Sequence, residues 1–263
     1  MQNLIKTTAA WAVISVAVTS GAAPLTSQVS TRSAAAPVAN VPVAKAVAAA
    51  AAVAALKPAT PAVIKLANAP AAKPTLVSDK ALRAQMKFET ARWGGKPVQT
   101  LDEQSRILLA QAAAEKVGLQ EVGLSFHDVY GVIEAETSWI PRTGASKDGT
   151  ANLGLAQFEP RTAKGLGVTD PSDPVQAVIG AAKYMKEGAK WASRKVAGLK
   201  LPPEQHAAKV REGVSVYYNL SIKGRNKWDG LNTATLPVET QRHIRNARAG
   251  AAEAAQLARL LKT

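Results

Sequence analysis

The chain has 263 residues, no cysteine, and a formal charge of +14 from 33 Lys and Arg against 19 Asp and Glu. That length allows one folded domain of ordinary size plus an extension, and the missing cysteines exclude a disulfide framework, a thiolate metal site and a lipid-modified Cys. The basic balance suggests an acidic partner; the basic residues are scattered, without an aromatic-interleaved stripe or a nucleic-acid motif, so nucleic acid is not expected, and a polyanionic cell wall explains the charge as well.

Residues 1–23 read as a secretory signal peptide. Lys6 is the positive n-region, Ala9 to Val18 a short apolar h-region, and Gly21, Ala22 and Ala23 a small-residue cleavage site. An uncleaved anchor is the other reading of this segment, but Ser15, Thr19 and Ser20 dilute the run. Export to the periplasm or beyond is expected, with no stable membrane insertion after signal cleavage.

Residues 24–77 are low-complexity Ala, Pro, Val and Lys, and no Asp or Glu occurs before Asp79. Repeated prolines and missing large side chains make this a disordered or partly extended tether, with a transient helix over Ala46 to Leu56. The folded domain is expected over 78–263, long enough for a sizeable core.

Within it, Asp79 to Arg92 is expected as a helix closed by Gly94, Gly95 and Pro97. Thr100 and Glu103 form a capping-box pattern for a helix to about Val117, stopped by Gly118. Ser125 and Asp128 repeat that pattern before a helix ending near Trp139 and Pro141. Thr143 to Ala151 is loop, in which Asp148-Gly149 closes a small hairpin.

Asp173 and Pro174 start a helix running toward Trp191, and Pro202 and Pro203 start another carrying Tyr218 and Asn219 to its end. Gly224 to Gly230 is a basic loop. Pro237 begins a last helix, interrupted at Gly250. Alternating strand patterns are nearly absent, so the expected class is mainly α.

The chemistry centres on Val129 to Ala163. With Phe126 at zero and about 100° per residue, Val129, Val132, Ile133 and Glu136 share one arc of a helix. Glu136 lies one turn after Val132 and Ile133 and one turn before Ile140, against apolar surface that favours a protonated carboxyl able to serve as a general acid. A solvated helix-terminal glutamate is the plainer alternative.

The residues around it carry a pattern. Glu136, Thr137, Ser138, Trp139, Ile140 and Pro141 follow acid-Ser-x-aromatic-x-Pro with Thr in place of Ser. Gly154, Leu155, Ala156 and Gln157, then Pro160, Arg161, Thr162 and Ala163, follow Gly-Leu-Met-Gln and Pro-x-Thr-Ala with Ala in place of Met. Tyr218 and Asn219 keep the Tyr-Asn pair of Ala-Tyr-Asn-Ala-Gly, while Leu220 and Ser221 depart from it. Glu239 and Thr240 begin Glu-Thr-x-x-Tyr-Val, with His243 at the Tyr position. In this order, from about Ser125 to Gly250, the motifs resemble those of the soluble lytic transglycosylases, the SLT-domain relatives of goose-type lysozyme.

The resemblance implies a lysozyme-like helical domain and a carbon-oxygen lyase that cuts the β-1,4 bond from MurNAc to GlcNAc in peptidoglycan without water, leaving 1,6-anhydroMurNAc ends. It makes Glu136 the catalytic acid and Thr137, Gln157, Tyr218 and Asn219 substrate-binding or supporting residues, with His243 an added candidate. Each has a second reading. Thr137 caps the helix or orients the acid, and Gln157 binds sugar or fixes its loop. Tyr218 tunes Glu136 or is a core residue, Asn219 supports the site or caps its helix, and His243 shapes the site or merely packs.

Of the tryptophans, Trp139 is expected in the core, and Trp93, Trp191 and Trp228 carry no assigned role. No cofactor is expected and no metal, because His127, His206 and His243 lack ligand spacing. A hydrolysing muramidase using Asp148 or Glu159 as base, and a non-catalytic wall-binding or secretion-apparatus protein on the same scaffold, are the competing functions.

Overall fold

Glycine and proline punctuation sets most of the boundaries in the computed structural model, which describes residues 77–146 and 148–261. The expected signal peptide and nearly all of the expected tether lie outside the described residues. Ser78 opens the first helix, α1 (Asp79–Gln85), its hydroxyl accepting from the Ala81 N–H at 3.2 Å.

The expected continuation of α1 to Arg92 is wrong. Residues Phe88–Trp93 (β1) and Lys96–Leu101 (β2) form an antiparallel hairpin in which Trp93 pairs with Lys96. Gly94 and Gly95 have φ of +57° and +78°, the left-handed pair that a two-residue hairpin turn demands and that side chains resist. Phe88, Thr90 and Trp93 also favour a pleated strand.

Helix α2 (Glu103–Val117) is capped by Asp102, whose carboxylate accepts from the Ser105 N–H at 2.8 Å, rather than by Thr100. Thr100 lies in β2, and its hydroxyl donates to the Trp139 carbonyl. Gly118 ends α2 as expected, and Ser125 and Asp128 form the capping box that opens α3 (Phe126–Thr137). A small hairpin of β3 (Gly144–Ala145) and β4 (Ala151–Asn152) follows, with Gly149 in its turn.

After α4 (Pro160–Gly165), the Asp173 side chain caps α5 (Pro174–Val196), and Pro203 opens α6 (Pro203–Asn219). The expected basic loop begins with a short helix, α7 (Ile222–Arg225). The last helix, α8 (Val238–Leu260), is continuous through Gly250. Among the described residues no helix is long and apolar enough to cross a membrane.

The class is mainly α. Helix α3 runs through the middle, against α2, α5 and α8, and α5 also packs on α2 and α6. Val129, Tyr130 and Ile133 of α3 are fully buried, with Leu109, Val178, Ala182 and Val216 from its neighbours in the same core.

Gly250 explains why the α8 glycine does not break the helix. A Cβ there would meet Glu134 Cβ at 2.8 Å and Gly131 Cα at 3.0 Å, and one on Gly131 would lie 2.1 Å from the Ala247 carbonyl oxygen. The two glycines let α3 and α8 touch backbone to backbone, offsetting the roughly 1 kcal/mol that an interior helical glycine costs. Position 243 is thereby brought beside position 136.

Candidate active site

Glu136 occupies the last turn of α3, and its side chain is 9% exposed. Its Oε1 lies 2.9 Å from Nε2 of His243, which projects from α8 and is 5% exposed. No hydrogen bond among the described residues reaches Oε2. One carboxylate oxygen is therefore paired within the protein and the other is not.

His243 is held from two sides. Its ring stacks on Tyr218 with centroids 6.0 Å apart and planes at 22°. One turn earlier, Thr240 donates to the Asn219 side-chain oxygen at 2.7 Å, which ties α8 to the end of α6. The other imidazole nitrogen, Nδ1, is buried and has no partner among the described residues.

The Leu153–Phe158 turn lies against both α3 and α6. Leu153 and Phe158 exchange backbone hydrogen bonds at 3.0 and 3.2 Å. Thr137 donates to the Leu155 carbonyl at 2.9 Å and Tyr218 to the Ala156 carbonyl at 3.1 Å, so α3 and α6 grip adjacent peptides of one turn. Gln157 sits at φ +49°, an uncommon backbone state for a residue with a side chain. Its amide nitrogen donates to the carbonyls of Arg142 and Gly154 at 2.8 and 2.9 Å. The loop-fixing reading of Gln157 thus accounts for its donors.

Tyr218 hydrogen-bonds the turn rather than Glu136. Burial pushes its phenol well above the ordinary range, and the charges of Glu136 and Tyr184 add to that. It stays a neutral donor to Ala156, with Phe158 and Tyr184 packed on its ring at 6.1 and 5.2 Å. Asn219 is the last residue of α6, with Leu220 in the cap position.

Arg142 was invisible as a site residue in the sequence, since nothing marks an arginine after Pro141. Its guanidinium donates to the Thr137 carbonyl at 2.8 Å and the Glu136 carbonyl at 2.5 Å. It satisfies helix-end acceptors that have no partner within the helix. Burial pulls the guanidinium down from its ordinary value, and the Glu136 carboxylate pushes it back up. Directly after α3, Ser138 and Trp139 both have positive φ, +51° and +59°. Such outliers cost about 1–3 kcal/mol each and persist where surrounding contacts fix them. Here the fixing contacts are the fully buried Trp139 ring, packed on Tyr130 at 5.1 Å, and the Thr100 hydroxyl on the Trp139 carbonyl.

Several other candidates are placed elsewhere. Asp148 accepts from the Thr150 N–H at 3.0 Å within its own turn, and Glu159 accepts from the Ser146 hydroxyl at 2.7 Å. Trp228 is fully buried and stacks on Trp191, so both belong to the packing between α5, α6 and the α7 loop. Among the described residues no three His, Asp or Glu side chains group as metal ligands.

These features define a helical domain with one buried carboxyl at a helix end, and known proteins match that part of the chain. Residues 112–199 match the family described as the transglycosylase SLT domain, a span holding α3, the Leu153–Phe158 turn and α5. That stretch, about one third of the chain, is therefore similar to the transglycosylase SLT domain, and it holds the first two motifs. A protein of Enterobacteria phage PRD1 named "Transglycosylase" is 44% identical over 59 residues, 22% of this chain and 21% of that protein. The match thus spans about one fifth of the relative. No solved structure matches. Tyr218, Asn219 and His243 lie beyond the matched span.

Proposed function

We propose that the chain is an exported peptidoglycan lytic transglycosylase with Glu136 as its single acid and base. The observation that carries this reading is the half-engaged Glu136 carboxyl, with Oε1 on His243 and Oε2 unpartnered, on the element that the family match covers.

Glu136 gives its proton to the oxygen bridging MurNAc and GlcNAc as the C1–O bond breaks and oxocarbenium character grows at C1. The carboxylate left behind removes the proton of the same MurNAc C6 hydroxyl. O6 then closes on C1, so the product is a 1,6-anhydro sugar and the carboxyl is protonated again. No water enters the balance. A glycosidase with two carboxyls sets them about 5–5.5 Å apart to retain or about 6.5–9.5 Å apart to invert. Asp148 accepts within its own turn and Glu159 accepts from Ser146, which favours the single-acid route.

In this mechanism His243 orients Glu136, and Tyr218 and Asn219 hold His243. Thr137 and Gln157 keep the turn in place beside the acid. The substrate is the glycan strand, whose stem-peptide carboxylates suit the basic chain, and the site of action is the cell envelope, outside the cytoplasm, with envelope secretion machinery as a candidate partner.

Digestion of purified sacculi followed by mass spectrometry tests the proposal. Anhydro-MurNAc ends are expected from the parent chain and none from Glu136→Gln. Reducing MurNAc ends would establish hydrolysis instead, and equal digestion by both chains would remove Glu136 from the reaction.

A further inference from the structure

The hairpin of β1 and β2 precedes the matched span, and its tip carries the one tryptophan, among the described residues, that the core does not use. Trp93 is 48% exposed, whereas Trp139 and Trp228 are fully buried and Trp191 stacks on Trp228. The hairpin is anchored through the face on which Trp93 lies. Glu89, Ala91 and Trp93 alternate on that face with their partners Thr100, Val98 and Lys96. Glu89 accepts from Arg106 at 2.6 Å, and Thr100 binds the Trp139 carbonyl just past α3.

Arg142 completes the connection. Its guanidinium carbon stands 4.4 Å from the centre of the Trp93 ring while its nitrogens hold the Glu136 and Thr137 carbonyls. Its carbonyl in turn receives the Gln157 amide. One guanidinium thus separates the indole from the backbone of the acid. It covers one ring face, so the exposed indole surface lies on the edge and the opposite face.

We propose that Trp93, backed by Arg142, is a sugar-binding subsite on which a pyranose ring of the glycan strand stacks, next to the residues flanking the scissile bond. The chemistry fits a saccharide: the C–H face of a pyranose packs on a flat aromatic ring, and an ordered guanidinium beside it fixes orientation. Arg92 and Lys96, both exposed at the tip, add positive charge where stem-peptide carboxylates would pass. Arg142 serves here as a positioning residue, holding the indole in register with α3.

The subsite rests on the transglycosylase reading for its ligand, and its test is binding rather than turnover. Full-length Glu136→Gln is the non-cutting background. Its affinity for purified sacculi is measured by co-sedimentation and for tetra-N-acetylchitotetraose by tryptophan fluorescence. Adding Trp93→Ala should weaken both about fivefold or more, while Trp93→Phe should stay within about twofold, because the flat face is kept. Far-ultraviolet circular dichroism should be unchanged by either. Equal binding by the Trp93→Ala chain, or no binding by the background itself, overturns the subsite. Anhydro ends released by the parent together with unaltered binding by Trp93→Ala reject the subsite alone. Loss of binding with Trp93→Ala, in a chain whose parent releases no anhydro ends, keeps the subsite and rejects the reaction.

Discussion

Nε2 of His243 lies 2.9 Å from Oε1 of Glu136, and both side chains are shut away from solvent. The pairing joins the end of α3 to the first third of α8, residues separated by 107 positions in sequence. It leaves the carboxyl with one oxygen paired and the other without a hydrogen bond among the described residues. Leaving a buried donor or acceptor without its partner costs about 1–3 kcal/mol, or about 5- to 150-fold when the loss falls on the transition state. His243→Phe should therefore lower kcat on sacculi by about that factor with little change in KM. His243→Tyr, which restores the residue of the resembled motif, should lose less, because its hydroxyl can still reach Oε1. Turbidity clearing of sacculi across a concentration series separates the two constants, and equal activity of His243→Phe and parent would show that the pair is packing alone.

The contact between α3 and α8 makes a second prediction. A Cβ on Gly131 would lie 2.1 Å from the Ala247 carbonyl and 2.8 Å from the Ala251 nitrogen, both backbone atoms that no rotamer change can move aside. Gly131→Ala should cost about 1–3 kcal/mol or more of stability. By prising α8 from α3 it should also lengthen the His243–Glu136 contact and lower activity beyond what unfolding explains. Urea melts and sacculus clearing, both at a temperature where the variant is folded, check the two effects. An unchanged melt would mean that the helices part without cost.

The same crossing shows what the sequence makes legible. Glu136, its place at the end of an apolar helix, the Ser125 capping box and the Asp173 cap are all local patterns, and the chain places them where spacing predicts. Strand β1 reads as helix in sequence because Asp79 to Arg92 holds no proline or glycine, and the turn glycines after it also look like a helix stop. Gly250 reads as a break in sequence because its purpose, room for Gly131 and Glu134, depends on a helix more than a hundred residues earlier. Arg142 and the Trp93 face are long-range features of the same kind. No periodicity encodes that a guanidinium will cap α3 and stack on a hairpin.

Asp173 joins a helix start to a distant helix. Its carboxylate accepts from the Val175 N–H at 2.9 Å and from Arg83 Nε of α1 at 2.8 Å. Burial alone would raise its pKa, but the Arg83 guanidinium and the Val175 N–H outweigh it and hold the carboxyl below the usual carboxylate range. A depressed folded-state value stabilises the fold above the unfolded pKa, near 3.9, and that contribution is lost as pH falls through the folded value. Asp173→Ala should lower stability by about 1–2 kcal/mol at neutral pH. The gap between parent and variant should narrow when melts are repeated at progressively lower pH, below the unfolded value, as the parent's carboxyl takes up its proton. A gap independent of pH would assign the loss to packing.

Glu134 behaves in the opposite sense. It is half-buried beside Glu253, and burial first, then the Glu253 charge, raises its carboxyl above the usual range. The folded state therefore holds this proton more tightly than the unfolded chain does. By linkage, stability falls as pH rises from the unfolded value, near 4.3, through the raised folded value, and above that window the charged carboxylate opposes folding. Glu134→Gln keeps the shape and removes the charge. It should melt at a higher temperature than the parent at pH 8, with the difference shrinking as pH is lowered toward 4. Calorimetric melts of both chains across that range supply the check. A parent as stable as the variant at pH 8 would show that Glu134 is solvated well enough to carry its charge without penalty.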